Sequence, residues 1–162
     1  MQPQERLDRW RGLEEAQRLG LTKHIGVSNY GVHHMQEIFN ARLSKPLVNQ
    51  VEVHVFLSRV ELVEFCQSHG VIVEAYSPLA KASAMDDATL KSVAHEYGKS
   101  VAQIMLRYLI QRGLVVLPKS VHTDRIKENM LVFDFELSSA TMQKLLALNR
   151  NMCTGWDPTT SA

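Results

Sequence analysis

The sequence lacks the features that would indicate a secreted, membrane-spanning or metal-binding protein. Its 162 residues contain two cysteines, Cys66 and Cys153, and neither belongs to a Cys-x-x-Cys pair. Free thiols in a reducing compartment are therefore expected, and we predict no metal site. The N-terminal stretch is polar without the apolar core of a signal peptide. No apolar run approaches the length that crosses a bilayer. We expect a cytoplasmic protein.

An excess of one charge is also missing. Lys and Arg together number 18 and Asp and Glu 17, a formal net charge of +1, and no basic run occurs. Proteins that bind nucleic acid or an acidic membrane surface carry strongly basic patches. We therefore expect neither nucleic acid nor membrane as a partner.

Short apolar runs alternate with helical patterns along the chain. Four runs rich in β-branched residues predict strands: Ile25–Ser28, Val48–Val53, Val71–Tyr76 and Val115–Leu117. Apolar residues spaced by three and four positions predict helices between them. Repeated strand–helix units favour parallel strands with right-handed crossovers, which is an α/β fold.

Capping residues predict where several helices begin and end. Ser58-Arg59-Val60-Glu61 and Ser100-Val101-Ala102-Gln103 match the capping box, in which the serine oxygen accepts from a backbone N–H. Four glycines stand where helices should end, because glycine adopts the left-handed conformation without a Cβ clash: Gly20, Gly70, Gly98 and Gly113.

Two architectures fit this alternation, an open doubly wound sheet and part of a (βα)8 barrel. The sequence contains no Gly-x-Gly-x-x-Gly and no P-loop motif after its first strand. Polar or aromatic residues instead follow every predicted strand, which is typical of the ligand-binding face of a barrel. We therefore predict four parallel strands with outer helices, in a single partial barrel domain over residues 1–162.

The end of the last predicted strand favours a phosphate site. Lys119 and Ser120 follow this strand directly, and Arg125 falls in the first turn of a helix predicted from Thr123. Two cations beside a helix N-terminus suit a phosphate group. Glu128 and Asn129 lie one turn further, within reach of whatever the phosphate is attached to. A strand-turn-helix with a solvated basic rim is the alternative.

Four motifs, in order, resemble the C-terminal half of the aldo-keto reductases. They are Gly26-Val27-Ser28-Asn29-Tyr30, Val48-Asn49-Gln50-Val51-Glu52, Glu74-Ala75-Tyr76-Ser77-Pro78-Leu79, and Leu117-Pro118-Lys119-Ser120-Val121 with Arg125 and Glu128-Asn129. The resemblance implies the C-terminal half of a (βα)8 TIM barrel. It also implies an NADP(H)-dependent oxidoreductase that converts small carbonyl substrates to alcohols.

The resemblance assigns cofactor-binding roles to matching positions only. Ser28, Asn29 and Gln50 would hold the nicotinamide carboxamide, since amides supply the donors and acceptors it requires. Tyr76 would stack on the nicotinamide ring. The remaining roles are Ser77 and Leu79 along the pyrophosphate; Lys119, Ser120, Val121 and Arg125 at the adenosine 2′-phosphate; and Glu128 and Asn129 at the adenine. The cation pair favours NADP(H) over NAD(H).

Departures from the family pattern limit what the resemblance implies. Ala80 stands where the family usually has glycine, so we expect a less close approach to the pyrophosphate, with Lys81 able to compensate by charge. The family's catalytic Asp, Tyr, Lys and His have no counterpart in these residues. We assign no catalytic residue, including His54 at a strand end, and expect a truncated chain that is catalytically incompetent alone.

Three hypotheses about the chain remain open. It represents part of an NADP(H)-dependent reductase, or a non-catalytic module that binds NADP(H) or a protein partner, or a half-barrel completed by another chain. Four strands of a barrel leave two edges whose backbone groups seek partners. We therefore expect self-association through these edges.

Overall fold

Four strands and seven α-helices follow one another in residues 2–161, the part of the chain that the computed structural model describes. The strands are β1 (Val27–Ser28), β2 (Val48–Glu52), β3 (Ile72–Tyr76) and β4 (Val115–Leu117). The helices are α1 (Pro3–Arg18), α2 (Val32–Asn40), α3 (Val60–Ser68), α4 (Ala88–Tyr97), α5 (Val101–Gln111), α6 (Thr123–Met130) and α7 (Ser139–Leu146). The predicted alternation of strands and helices is confirmed.

The strands form one sheet in the order β1-β2-β3-β4. β1 pairs in parallel with β2, so that Ser28 lies opposite Gln50. β3 pairs in parallel with β4, so that Tyr76 lies opposite Leu117. Parallel pairing brings the carboxyl ends of neighbouring strands to the same edge of a sheet. The motifs that follow paired strands therefore lie side by side.

The first strand is shorter than predicted, because it begins at Val27 and not at Ile25. A Cβ added to Gly26 would lie 2.9 Å from the carbonyl oxygen of Val48, so only glycine fits this close backbone approach. Ile25 is nevertheless buried, and its carbonyl accepts the Leu47 N–H at 3.0 Å. The second strand ends one residue earlier than predicted and the third begins one residue later.

One of the two predicted capping boxes is confirmed and the other is wrong. Ser100 caps α5, its Oγ accepting the Gln103 N–H, and Gln103 reaches back to Ser100. α3 begins only at Val60, after Arg59 at φ 41°. The Ser58 hydroxyl instead lies 3.3 Å from the Tyr108 hydroxyl in a buried contact. The Ser58 hydroxyl thus contacts a residue distant in sequence, Tyr108, and not a backbone N–H at the start of α3. All four glycines predicted to end helices have positive φ.

Contacts group the chain into two compact units. Unit 1 comprises the residues up to Val51, Val60–Val73 and the residues from Trp156. Its apolar cluster centres on Trp10, Ile25 and Ile38. Beside this cluster the guanidinium of Arg6 makes two hydrogen bonds to the Glu37 carboxylate, at 2.6 and 2.8 Å. This bonding holds the pKa of Glu37 below its usual range.

Unit 2 comprises Glu52–Arg59 and Glu74–Gly155. Its core is built from α4, α5 and α7, whose apolar stripes contribute fully buried side chains. Each large apolar side chain buried in this way stabilises the fold by about 1.5–3 kcal/mol. These side chains are Leu90, Ile104, Met105, Leu106, Leu109 and Leu145. Among the described residues, no helix is long and apolar enough to cross a bilayer.

Candidate functional site

A cleft of about 610 Å³ lies in unit 2, beyond the carboxyl end of β4. Three segments form its walls: the loop after β3, the first turn of α5, and the connection from β4 into α6. The lining residues are Ser77, Pro78, Leu79, Lys81, Ala82, Met85, Ser100, Val101, Ala102, Leu117, Pro118, Lys119, Ser120, Arg125, Glu128 and Asn129. A volume of this size suits a small organic ligand.

Seven of the twelve predicted cofactor-binding residues line this cleft. They are Ser77, Leu79, Lys119, Ser120, Arg125, Glu128 and Asn129. Tyr76 and Val121 do not line it, and Val121 is 73% exposed. The roles of these two residues stay predictions. The other three, Ser28, Asn29 and Gln50, lie in unit 1.

Positive charge dominates the cleft lining. Lys81, Lys119 and Arg125 are cationic, whereas Glu128 is the single anion in the lining. Val101 and Ala102 are the first helical residues of α5, and Arg125 lies in the first turn of α6. Backbone N–H groups at the start of a helix have no partner within the helix and carry partial positive charge. The cleft is therefore suited to an anionic ligand.

A side chain from α5 holds the far end of α6. α6 buries none of its own residues, so it needs support from outside. Gln103 Nε2 donates to the carbonyl oxygens of Leu131 at 2.7 Å and Glu128 at 3.4 Å, while its Oε1 accepts the Ser100 N–H at 3.0 Å. Gln103 thus positions the turn that carries Glu128 and Asn129.

The turn between β4 and α6 is ordered by the Ser120 hydroxyl. Its Oγ accepts the backbone N–H of His122 at 3.1 Å, a local contact typical of serine before a helix. The side chain of His122 makes no capping hydrogen bond, although it occupies the N-cap position of α6. Ser120 therefore shapes the segment that carries Lys119 into the cleft.

The loop after β3 holds several residues in the left-handed region. Ser77, Ala80, Lys81 and Ala82 have φ values of 48°, 49°, 50° and 66°, and none is glycine. Each such residue costs roughly 1–2 kcal/mol. Ala80 is fully buried, and it keeps a backbone conformation that glycine would adopt without strain. The packing of unit 2 thus maintains this conformation at the cleft wall.

The tail segment, residues 149–155, is fastened to the stretch that follows β2. The Phe56 carbonyl accepts the backbone N–H groups of Arg150 at 3.2 Å and Met152 at 3.0 Å. The Thr154 N–H donates to Glu52 Oε1 at 2.9 Å, and the Thr154 carbonyl accepts from Lys81 Nζ at 3.1 Å. The tail segment therefore reaches a cation of the cleft.

Beneath the tail segment, His54 and Glu52 form a buried pair. His54 is fully buried and its Nε2 lies 3.2 Å from Glu52 Oε1. Burial lowers the pKa of His54, although Glu52 partly opposes this shift. The pair supports the structure, and His54 does not line the cleft.

We expect unit 2 to lose stability as the pH falls below about 6.5. An unfolded histidine titrates near this value, whereas folded His54 titrates lower, so the unfolded chain binds more protons in between. The contribution is full above pH 6.5 and decreases by at most about 1.4 kcal/mol per pH unit below it. Urea denaturation at pH 7.5 and 5.5 measures this loss. His54→Gln should reduce the pH dependence, and an unchanged pH dependence would contradict the assignment.

In unit 1, three predicted residues lie together where β1 and β2 end. The Gln50 carbonyl accepts the Ser28 hydroxyl and the Asn29 N–H, each at 2.9 Å. Asn29 has φ 60°, a conformation that asparagine tolerates better than most residues. Asn49, fully buried, donates from Nδ2 to the Tyr30 carbonyl at 2.8 Å. Asn49 thereby fixes the loop that carries Asn29.

Sequence reasoning missed the positioning roles of Asn49 and Gln103 and the contribution of α5 to the cleft. One signal was available for α5. A helix that precedes a parallel strand runs back along the sheet, so its start lies near the carboxyl end of that strand. The start of α5 at Ser100 was predicted and could have been placed beside Lys119 on this ground.

Known proteins are similar to this chain in sequence and in fold. The family model described as Aldo/keto reductase family matches residues 2–150. A glyoxal reductase of Bacillus subtilis is 44% identical over 151 residues, which cover 93% of this chain and 55% of that protein. The chain spans about half the length of the curated relatives it matches.

Two solved structures extend the likeness to three dimensions. The aldo-keto reductase MGS-M4, from a deep-sea metagenome library of the Medee basin, matches with TM-score 0.93 and 32% identity. This match covers 100% of the present chain and 61% of MGS-M4. A Bombyx mori aldo-keto reductase in complex with NADP matches with TM-score 0.85 and 37% identity over 90% of the present chain and 50% of its own. The predicted fold class, the C-terminal half of a TIM barrel, is confirmed.

Proposed function

Because the chain belongs to the aldo/keto reductase family, we propose that it carries the NADP(H)-binding half of a reductase of small carbonyl compounds. Two relatives support this proposal. One is named a glyoxal reductase and the other is a family member solved in complex with NADP. A carbonyl substrate and a phosphorylated nicotinamide cofactor are therefore the ligands we assign to the parent enzyme.

The observation that carries the proposal is the cationic cleft of unit 2. Lys119 and Arg125 line one wall, beside the first turns of α5 and α6. An ammonium, a planar guanidinium and the N–H groups of the first helical turns together provide the donors that a phosphate monoester needs. This donor set fits the adenosine 2′-phosphate that distinguishes NADP(H) from NAD(H). Glu128 and Asn129 supply polar groups for the adenine.

For the nicotinamide we propose the residues at the ends of β1 and β2. Ser28, Asn29 and Gln50 lie together there, and their side chains are a hydroxyl and two amides, groups whose chemistry suits a carboxamide. Tyr76 is the proposed platform for the ring. When bound, the nicotinamide supplies the hydride for carbonyl reduction. Orientation of the carboxamide is therefore the proposed task of Ser28, Asn29 and Gln50.

We further propose that these 162 residues bind the cofactor and do not reduce carbonyls alone. Carbonyl reduction also needs a positioned proton donor. In the family this donor is a tyrosine assisted by a lysine, and the motifs present here contain neither in that role.

Titration of the purified chain with NADPH tests the proposal. We expect saturable enhancement of nicotinamide fluorescence, at lower concentrations for NADPH than for NADH, with no loss of NADPH absorbance when glyoxal is added. Absence of binding would overturn the cofactor assignment. Turnover that Tyr76→Phe abolishes would show that the chain contains its own acid. Binding without turnover is also what a non-catalytic NADP(H)-binding module would give.

Two further assignments stay predictions. Self-association is supported by exposed apolar residues on β4, where Val115 is 45% and Leu117 38% exposed. A cytoplasmic location is supported by composition alone.

A further inference from the structure

Lys81 is a cation of the cleft for which the sequence led us to expect only that its charge compensates for Ala80 near the pyrophosphate. Lys81 lies in the loop after β3, which also carries Ser77 and Leu79. Lys119 and Arg125 line the cleft from the segment after β4. If these two cations bind the 2′-phosphate, the negatively charged diphosphate still needs a counter-charge. Among the cleft residues, Lys81 is the remaining cation.

The side chain of Lys81 is held in place before any ligand arrives. Its Nζ donates to the Thr154 carbonyl at 3.1 Å, and Thr154 is itself fixed by the hydrogen bond from its N–H to the buried carboxylate of Glu52. An ammonium has three donors, so this contact leaves two for a ligand. A flexible lysine normally loses much rotamer entropy on binding a phosphate. Here part of that loss already occurs on folding.

From this geometry we propose that Lys81 binds the diphosphate of the dinucleotide and that the tail segment, residues 149–155, holds Lys81 in position. The inference rests on the proposed function, because it assumes that the cleft binds NADP(H). It adds the tail segment to the cofactor site through the carbonyl of Thr154.

Ligands that lack parts of the cofactor separate the two anion sites. 2′-AMP carries the 2′-phosphate but no diphosphate, whereas NADPH carries both. Lys81→Gln should weaken NADPH binding about tenfold and leave 2′-AMP binding within about twofold. Lys81→Arg should restore most of the NADPH affinity, because it keeps the charge. Lys144→Gln, an exposed substitution outside the cleft, is the matched control and should change neither ligand.

The outcomes distinguish this inference from the proposed function. If the unsubstituted chain binds neither NADPH nor 2′-AMP, the proposed function fails. If both ligands bind and Lys81→Gln weakens them equally or not at all, the assignment of Lys81 to the diphosphate is overturned while the cofactor assignment stands. Isothermal titration calorimetry measures all of these affinities on the same chain.

The role of the tail segment is tested by a double-mutant cycle. Thr154→Pro removes the N–H that donates to Glu52 and should weaken NADPH binding about threefold through loss of preorganisation. In the Lys81→Gln background the same substitution should have no further effect, because the side chain that the tail positions is gone. An equal effect in both backgrounds, or none in either, would overturn the positioning role.

Discussion

Replacing Lys119 and Arg125 together with methionine is expected to weaken NADPH binding by about 100- to 10,000-fold. Hydrogen bonds to charged groups contribute about 1.5–3 kcal/mol each, and 1.4 kcal/mol corresponds to a factor of ten. Both side chains line the same cleft as the start of α5, so their loss removes the charged donors of the proposed 2′-phosphate site. Lys119→Met and Arg125→Met should each reduce the NADPH affinity by less than the double substitution does.

The comparison with NADH makes this prediction specific. NADH lacks the 2′-phosphate, so its affinity should stay within about threefold, and the preference for NADPH should disappear. Fluorescence titration of both cofactors against each variant measures the ratio. Lys127→Met with Lys144→Met removes two exposed positive charges outside the cleft and serves as the control. An equal loss for NADPH and NADH would show that the pair supports the fold or binds another group.

Trp10→Ala is expected to destabilise unit 1 by about 3–5 kcal/mol. Trp10 is 1% exposed at the centre of the apolar cluster, and its indole N–H donates to the Ser44 carbonyl at 3.0 Å. The substitution removes a large buried ring and leaves the Ser44 carbonyl without this donor. The loss is a large share of the stability typical of a domain.

Urea denaturation followed by circular dichroism measures this loss. Trp10→Phe keeps most of the buried area and should cost less, mainly through the lost hydrogen bond and the smaller volume. Trp156→Phe is the control, because that side chain is 75% exposed and its replacement should change stability by less than about 0.5 kcal/mol. A similar loss for Trp10 and Trp156 would contradict the assignment of Trp10 to the core.

The order of elements could be predicted because each signal is local. Apolar periodicity and glycines such as Gly98, at φ 60°, depend on residues close in sequence. Boundaries set by tertiary contacts were missed. β1 begins only after Gly26, whose backbone closely approaches Val48, and the hydroxyl of Ser58 turns to Tyr108 instead of capping α3. Neither contact leaves a trace in the local pattern.

In the candidate site, too, features with a local sequence signal could be predicted and features set by tertiary contacts could not. Lys119 and Arg125 were predicted from a strand followed by a helix, and both line the cleft. The support given by Gln103 to α6 could not be predicted, since a capping residue gives no sign of a second contact 28 positions away at Leu131. The link from Glu52 through Thr154 to Lys81 likewise joins residues that are far apart in sequence.

The three cations of the cleft also affect how fast a ligand arrives. The chain as a whole carries a formal charge of only +1, whereas the cleft lining brings together Lys81, Lys119 and Arg125 with one anion, Glu128, and so forms a local positive field. Such a field accelerates the diffusional approach of an anionic ligand and is screened by salt over about 10 Å at 0.1 M. Ionic strength should therefore slow the association of NADPH more than that of NADH, while dissociation of either cofactor depends mainly on the contacts made after arrival.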